Sequence, residues 1–315
     1  MINATPKTAS ILLLVSLLLA NLLTGQESRY FETEEGTVHY RVFGSGYPML
    51  IINGGPGLDC EGFTPVAELF SDHYTTILFD QRGTGQSKLN RVDNTTVTLD
   101  RMASDIEALR KHLGFEQWAV LGHSFGGFLA QYYASNYPES VTCMVLSGSG
   151  GIDLDILNYV SANINIRLSK EEQESIRYWN NEIKNGDTSH HAKLEKMTAL
   201  ASAYLYNKDY VPVLAERLTQ GNNQVHDLVF EDLKRIPYDC KESLKNFIQP
   251  VLIIQGRQDI VGSETAYKAH SVLPNSTIVL LNECVHYGWL DQPEQYKAEV
   301  EKFLKIATKP CRCRM

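Results

Sequence analysis

Residues 119–129 read AVLGHSFGGFL. An apolar run, AVL, stops at Gly122. A single hydroxyl, Ser124, follows two residues later, and Gly126 opens a run of helix-forming residues. A plain turn has no use for glycine two before and two after a serine. A serine lifted out of a sharp strand-to-helix turn does, because that backbone is strained and the flanking Cβ atoms would clash. The pattern therefore marks Ser124 as a candidate nucleophile beside a helix N-terminus. The Phe125 amide is then placed where an oxyanion would form.

The surrounding sequence supplies a suitable scaffold. RYFETEEGTVHYRVFG (29–44) alternates and reads as two antiparallel strands with a turn at Glu35-Gly36. PMLIING (48–54), TTILFD (75–80), QWAVLGH (117–123), VTCMVLSG (141–148), PVLIIQG (250–256) and STIVLLN (276–282) are short apolar runs of buried-strand type. DRMASDIEALRKHLGF (100–115) carries Met102, Ile106, Leu109 and Leu113 on one helix face, and PEQYKAEVEKFLKIA (293–307) closes the pattern with another helix. Continuous apolar strands alternating with helices predict an α/β fold with a mostly parallel central sheet covered on both faces. Residues 151–248 break the rhythm. They are polar, aromatic and free of strand pattern, and LSKEE carries a capping box from Ser169 to Glu172. The expected organisation is a core of 28–150 and 249–307, a helical cap of 151–248, and a tail of 308–315.

The 315 residues carry 43% hydrophobic side chains and a net charge of −8, which excludes a basic nucleic-acid surface. The segment SILLLVSLLLANLL is apolar from Ile11 to Leu23, short for a membrane span and of the length of a signal-peptide core. Residues 1–25 are therefore expected to be a signal peptide directing a secreted or periplasmic protein, without a membrane span once mature. The alternative is an uncleaved N-terminal anchor. A monomer is expected. Of the six cysteines, Cys143 reads as buried, Cys60 and Cys240 lie in loops and could pair, and Cys311 and Cys313 sit in the tail.

A serine nucleophile needs a base, and the base needs an orienting acid. IIQGRQDIV ends a strand with Asp259 just beyond it, and NECVHYGWLDQPE follows the last strand with His286. Both fall at C-terminal strand ends, on the side of Ser124, in the order serine, acid, histidine. Asp153, after the 141–148 strand, is a competing acid. The glycines of NGGPG (53–57) let backbone approach a substrate oxygen closely, and the Gly55 amide is the candidate second oxyanion donor. No metal or organic cofactor is implied. His190-His191 lacks ligand-type partners at metal spacing.

Three motifs, GHSFGG, DQRGTGQS (80–87) and NGGPG, make the chain after the leader resemble the α/β-hydrolase superfamily, and the last two resemble the proline iminopeptidase family. The resemblance implies Ser124, Asp259 and His286 as a triad, Gly55 and Phe125 as oxyanion donors, and Asp80 and Arg82 as anchors of the loop beside the site. It also implies removal of N-terminal residues, often proline, from small peptides. The sequence departs from the pattern at Asn53, where histidine is usual, and at Phe125, where tryptophan is usual. Such enzymes hold the free amine with cap glutamates. The matching stretch ALASAYLYN (199–207) contains no acid, which leaves Glu195, Glu216 and Glu231. The alternatives are an esterase or carbon–carbon bond hydrolase on a small carboxylic-acid-type substrate, or a non-catalytic binding module. Tyr159, Trp179, Tyr204, Tyr206 and Tyr210 are candidates to line a cap pocket or to pack its helices.

Overall fold

A computed structural model describes residues 27–309. The leader and the pair Cys311 and Cys313 lie outside the described residues. The strands are β1 (Arg29–Thr33), β2 (Gly36–Phe43), β3 (Tyr47–Ile52), β4 (Tyr74–Phe79), β5 (Lys88–Leu89), β6 (Trp118–His123), β7 (Val141–Ser147), β8 (Val251–Gly256) and β9 (Ser276–Leu281). The helices are α1 (Thr64–Phe70), α2 (Leu99–His112), α3 (Phe125–Asn136), α4 (Val160–Arg167), α5 (Lys170–Lys184), α6 (His190–Ser202), α7 (Val211–Leu218), α8 (Asn223–Arg235), α9 (Lys241–Leu244), α10 (Ser263–Val272), α11 (Gly288–Asp291) and α12 (Pro293–Ala307).

The sheet runs β1-β2-β4-β3-β6-β7-β8-β9, with the two-residue β5 paired to β2. It is parallel from β4 through β9, and β1, β2 and β5 pair antiparallel at one end. The central strands are mostly apolar on both faces because both faces are covered. Leu50, Ile52 and Val120 face one cluster, with Ile106 of α2, Leu129 of α3 and Ala266 of α10. Met49, Ile51 and Leu121 face the other, with Val66 of α1 and Tyr296 and Val300 of α12. The strand β9 departs from the buried reading. As the sheet edge it keeps most of its residues partly exposed. The β1–β2 turn falls at Glu34-Glu35, one residue before the expected place, because Thr33 pairs with Gly36.

Between β7 and β8 the chain is helical from α4 to α9. Val225, Val229 and Leu233 of α8 join the first cluster, whereas Ala201, Leu214 and Ala215 join the second. The Ser169–Glu172 capping box is formed in both directions. Among the described residues no helix is long and apolar enough to cross a membrane.

The expected option of a Cys60–Cys240 pair is corrected. Both thiols are free and buried, and they pack in the two different clusters. Cys143 and Cys284 are free as well.

Asp80 and Arg82 are anchors, as the resemblance implies. The Asp80 carboxylate accepts from the amides of Cys60 (2.8 Å) and Gln86 (2.7 Å) and pairs with His39 Nδ1 (2.9 Å). Arg82 grips Asp105 with both arms (2.8 and 2.7 Å) and donates to the carbonyl of Thr96 (2.6 Å). Gln81 between them donates to the Asn53 carbonyl (2.9 Å), so the DQRG turn holds the NGGPG loop directly.

The glycines of the 122–127 turn are fixed by space. A Cβ on Gly126 would stand 2.1 Å from the Ile52 carbonyl oxygen, and one on Gly122 would stand 2.4 Å from that of Gly126. Backbone cannot step aside as a flexible side chain can. Gly126→Ala is expected to lower folding stability by about 3 kcal/mol, measured by urea melts; an unchanged midpoint would show that the turn tolerates widening.

Candidate active site

Ser124 occupies the turn between β6 and α3 with φ +54° and ψ −118°, in the positive-φ region that residues with a Cβ rarely adopt. The strain is held by backbone bonds. The Ser124 amide donates to the Ser147 carbonyl (3.2 Å), and the Ser124 carbonyl accepts from Gly127 (2.9 Å) and Gly150 (2.8 Å). Phe125 opens α3, so its amide is among those without an intrahelical acceptor.

Asp259 lies three residues past β8, and His286 five past β9. Glycines bring their loops together. A Cβ on Gly256 would come within 2.1 Å of the Val285 carbonyl oxygen, and Gly148, at φ +46°, leaves room for Asp259 Oδ2 and the His286 ring. His286 Nδ1 lies 2.8 Å from Asp259 Oδ1, with side-chain exposures of 2% and 0%. A carboxylate at that position makes Nδ1 the protonated nitrogen and leaves Nε2 as an acceptor. The His286 amide donates to the Tyr204 carbonyl in the helical insertion (3.0 Å), which fixes the imidazole-bearing backbone from above.

Ser124, His286, Gly55 and Phe125 line one cavity of about 390 Å³, with Asp259 behind His286. Four expected site residues thus share a cavity, and the fifth backs it. The competing acid Asp153 is engaged elsewhere, with Lys241 (2.5 Å) and Lys268. Asn53, where the resemblance places histidine, keeps the loop closed through its side-chain amide, which donates to the carbonyls of Leu58 and Asp59 (both 3.2 Å).

The rest of the cavity is apolar, formed by side chains such as Leu58, Phe128, Ile164, Met197, Phe230 and Val261. Its polar side chains from the insertion are Asn223, His226 and the phenol of Tyr204, and among the described residues no carboxylate lines it. Glu216 pairs with His190 (3.1 Å), Glu195 lies 3.9 Å from His191, and Glu231 is exposed. Of the five aromatics weighed from the sequence, Tyr204 lines the cavity. Trp179 instead packs on Tyr178 and His191, and Tyr159 bonds Thr265.

Three supporting residues were not singled out from the sequence. Asp291 accepts from the amides of Val285 (2.8 Å), Tyr206 (3.0 Å) and Asn207 (2.9 Å), which ties the His286 loop to the insertion. Arg217 of α7 reaches the NGGPG loop. His123 sits inside a ring of Phe63, Tyr287 and Trp289, its centroid 4.7 Å from that of His286. Its Nδ1–H donates to the Ser147 carbonyl (2.9 Å). Burial, with His286 and Arg217 adding to it, pushes the His123 imidazole well below its usual range. It therefore stays neutral while its neighbour takes up a proton.

This depression has a measurable consequence. The folded chain binds the His123 proton more weakly than the unfolded chain does. As pH falls below about 6.5, the unfolded state gains a proton that the folded state does not, and stability falls at up to about 1.4 kcal/mol per pH unit. His123→Asn is expected to flatten the loss of stability between about pH 6.5 and 5, read from urea melts across that window. Equal slopes in the two proteins would mean that His123 titrates normally.

The model of the alpha/beta hydrolase fold family matches residues 47–293. The chain belongs to that family. The hydrolase is 26% identical over 288 residues to a proline iminopeptidase of Heyndrickxia coagulans, across 87% of this chain and 97% of that one. Among solved structures, it is similar to an alpha/beta fold family hydrolase of Bacillus anthracis (TM-score 0.72, 22% identity, 89% of this chain and 99% of that one). It is also similar to an esterase of Exiguobacterium antarcticum (TM-score 0.68, 17% identity, 89% and 100%). These likenesses agree with a mixed, mostly parallel sheet flanked by helices, and with hydrolase chemistry.

Proposed function

We propose that this hydrolase cleaves ester or amide bonds through an acyl-enzyme formed on Ser124. The observation that carries the reading is the shared cavity. Ser124 on its strained turn, His286 backed by a buried carboxylate, and the candidate oxyanion residues Gly55 and Phe125 all line one space. In the first step the Ser124 proton passes to His286 Nε2 as Oγ bonds the substrate carbonyl carbon. The carbonyl electron pair moves onto oxygen, which the Gly55 and Phe125 amides receive. His286 then returns the proton to the leaving alcohol or amine as the bond to it breaks. Water repeats the sequence on the acyl-enzyme and releases the acid. Asp259 stabilises the imidazolium formed in each half.

The cavity favours an uncharged, apolar acyl group. A buried ammonium needs a counter-charge, and an apolar wall supplies none. Esters or amides of medium-length or branched acids fit this lining. The second reading is a proline iminopeptidase-like aminopeptidase. It is favoured by the names of relatives such as that of Heyndrickxia coagulans and by the NGGPG and DQRGTGQS motifs.

A panel separates the two. Nitrophenyl esters from acetate to octanoate are expected to be hydrolysed, with the longer acyl groups bound more tightly. Prolyl- and alanyl-naphthylamides are expected to turn over far more slowly than their N-acetylated forms, because acetylation removes the charge. Faster cleavage of the free-amine substrates would reverse the order of the two readings. By the same proposal, the leader sends the protein out of the cytoplasm, and its removal is tested by N-terminal sequencing of the material exported from cells.

A further inference from the structure

Arg217 is an unusual residue to find where it is. It is 8% exposed, and among the described residues its guanidinium has no carboxylate within ion-pair distance. Asp59 feels its charge, but burial dominates that carboxyl and pushes its pKa up. A buried cation without a paired anion is costly, so its contacts matter. The guanidinium carbon stands 5.0 Å from the centre of the Phe63 ring. Nη1 lies 3.5 Å from the Tyr287 hydroxyl, and Nη2 donates to the Gly54 carbonyl (3.1 Å). Gly62 makes the slot, since a Cβ there would stand 2.1 Å from both Arg217 Cδ and Nε.

The Gly54 carbonyl and the Gly55 N–H belong to one peptide group. The peptide is planar, no cis bond occurs among the described residues, and in a trans peptide the C=O and N–H point in opposite directions. Gly55 lines the cavity and Arg217 does not, so the cation sits behind the loop and the N–H faces forward. We propose that Arg217 is a positioning residue for the oxyanion hole. By holding the carbonyl of the Gly54–Gly55 peptide, it aims and polarises the N–H on the other side. Hydrogen bonds in series strengthen one another in a low-dielectric setting, and a charged donor strengthens them further. The benefit is largest when an oxyanion forms and small for a neutral carbonyl, so it acts on the transition state more than on binding. The insertion adds a second hold on the same loop, because the Asn222 amide donates to the Gly57 carbonyl (2.9 Å). Through these contacts, α7 and the start of α8 set the oxyanion hole from outside the core.

This inference rests on the acyl-enzyme reading, and its test keeps the two apart. The wild type must first hydrolyse a nitrophenyl ester and take a fluorophosphonate label on Ser124. If it does neither, the proposed function fails and this inference with it. With an active wild type, Arg217→Gln is expected to lower kcat by about 10- to 100-fold, less than outright loss of an oxyanion donor. KM should change little, and affinity for a boronic acid that forms a tetrahedral Ser124 adduct should fall in step with kcat. Gly62→Ala, which displaces the guanidinium without removing it, should shift kcat in the same direction. Added guanidinium should restore turnover to Arg217→Ala, whereas methylammonium should not. The restoration also serves where Arg217→Gln folds poorly, because it reads the cation and not the packing. A folded Arg217→Gln with wild-type kcat, a loss confined to KM, or no restoration by guanidinium would overturn the inference and leave the acyl-enzyme reading intact.

Discussion

Ser124→Ala is expected to lower turnover by about 10⁶-fold while leaving the fold and substrate binding in place. The separation follows from how the turn is built. The bonds that hold it, from Gly127 and Gly150 to the carbonyl of residue 124 and from its amide to Ser147, are all backbone bonds and survive the substitution. Alanine carries the same Cβ into the same positive-φ conformation, so it neither relieves nor adds strain. Gly55 and Phe125 remain in the cavity lining, and the residual rate is what the proposed oxyanion contacts and binding provide without a nucleophile. The measurement is single-turnover hydrolysis of a nitrophenyl ester, together with fluorophosphonate labelling and a thermal melt. Loss of both activity and label at an unchanged melting temperature is the expected result. Turnover close to wild type would show that another group attacks the carbonyl and would remove the basis for the acyl-enzyme. A binding module of hydrolase fold predicts a third pattern, in which neither protein reacts and both bind ligand equally.

What was legible in the sequence divides along physical lines. The central strands could be read because burial on both faces favours runs of consecutive apolar residues, as in the VLII of VLIIQG and the CMVL of VTCMVLS. The nucleophile turn could be read because its constraint is local. Gly122 is excluded from carrying a Cβ by atoms that the turn itself brings near, and Gly126 by the Ile52 carbonyl of the adjoining strand. Asp259 and His286 could be read by position, since each follows a strand in a fold whose strand ends converge. The same reasoning could not find Arg217. Its partner carbonyl is 163 residues away, and VPVLAERL reads as an ordinary amphipathic helix with a solvent-facing arginine. Asp291 escaped for a related reason. An acid ahead of Gln-Pro-Glu looks like a helix-start residue, yet it accepts one amide from the nearby His286 loop and two from the distant insertion. Loop cysteines gave an ambiguous signal, and only the placement of Cys60 and Cys240 in separate clusters resolves it. Residues whose role is set by one long-range contact carry no pattern for a periodicity argument to find.

The second large effect is expected at Asp259. Asp259→Ala should lower kcat by about 10⁴-fold, a smaller loss than for the nucleophile because the imidazole is retained. Two services are removed together. The carboxylate holds the Nδ1–H through a 2.8 Å bond, which keeps Nε2 free to accept the Ser124 proton. It also carries the negative charge that offsets the imidazolium formed in the transition state, in a site where side-chain exposure is nearly nil and that attraction is little screened. Asp259→Asn separates the two. The Val261 amide donates to the same Oδ1 atom (3.2 Å) and so favours an amide oxygen there, which preserves the His286 tautomer and discards only the charge. Asn is therefore expected to retain more activity than Ala, with the difference measuring orientation and the remaining deficit measuring charge. Asp153→Ala serves as the control. Its carboxylate is occupied by Lys241 and Lys268, so its loss should alter stability and leave kcat near wild type. Should Asp153→Ala abolish turnover while Asp259→Ala does not, the acid would be assigned to the wrong strand end, and the His286–Asp259 contact would be a structural bond without a part in proton transfer.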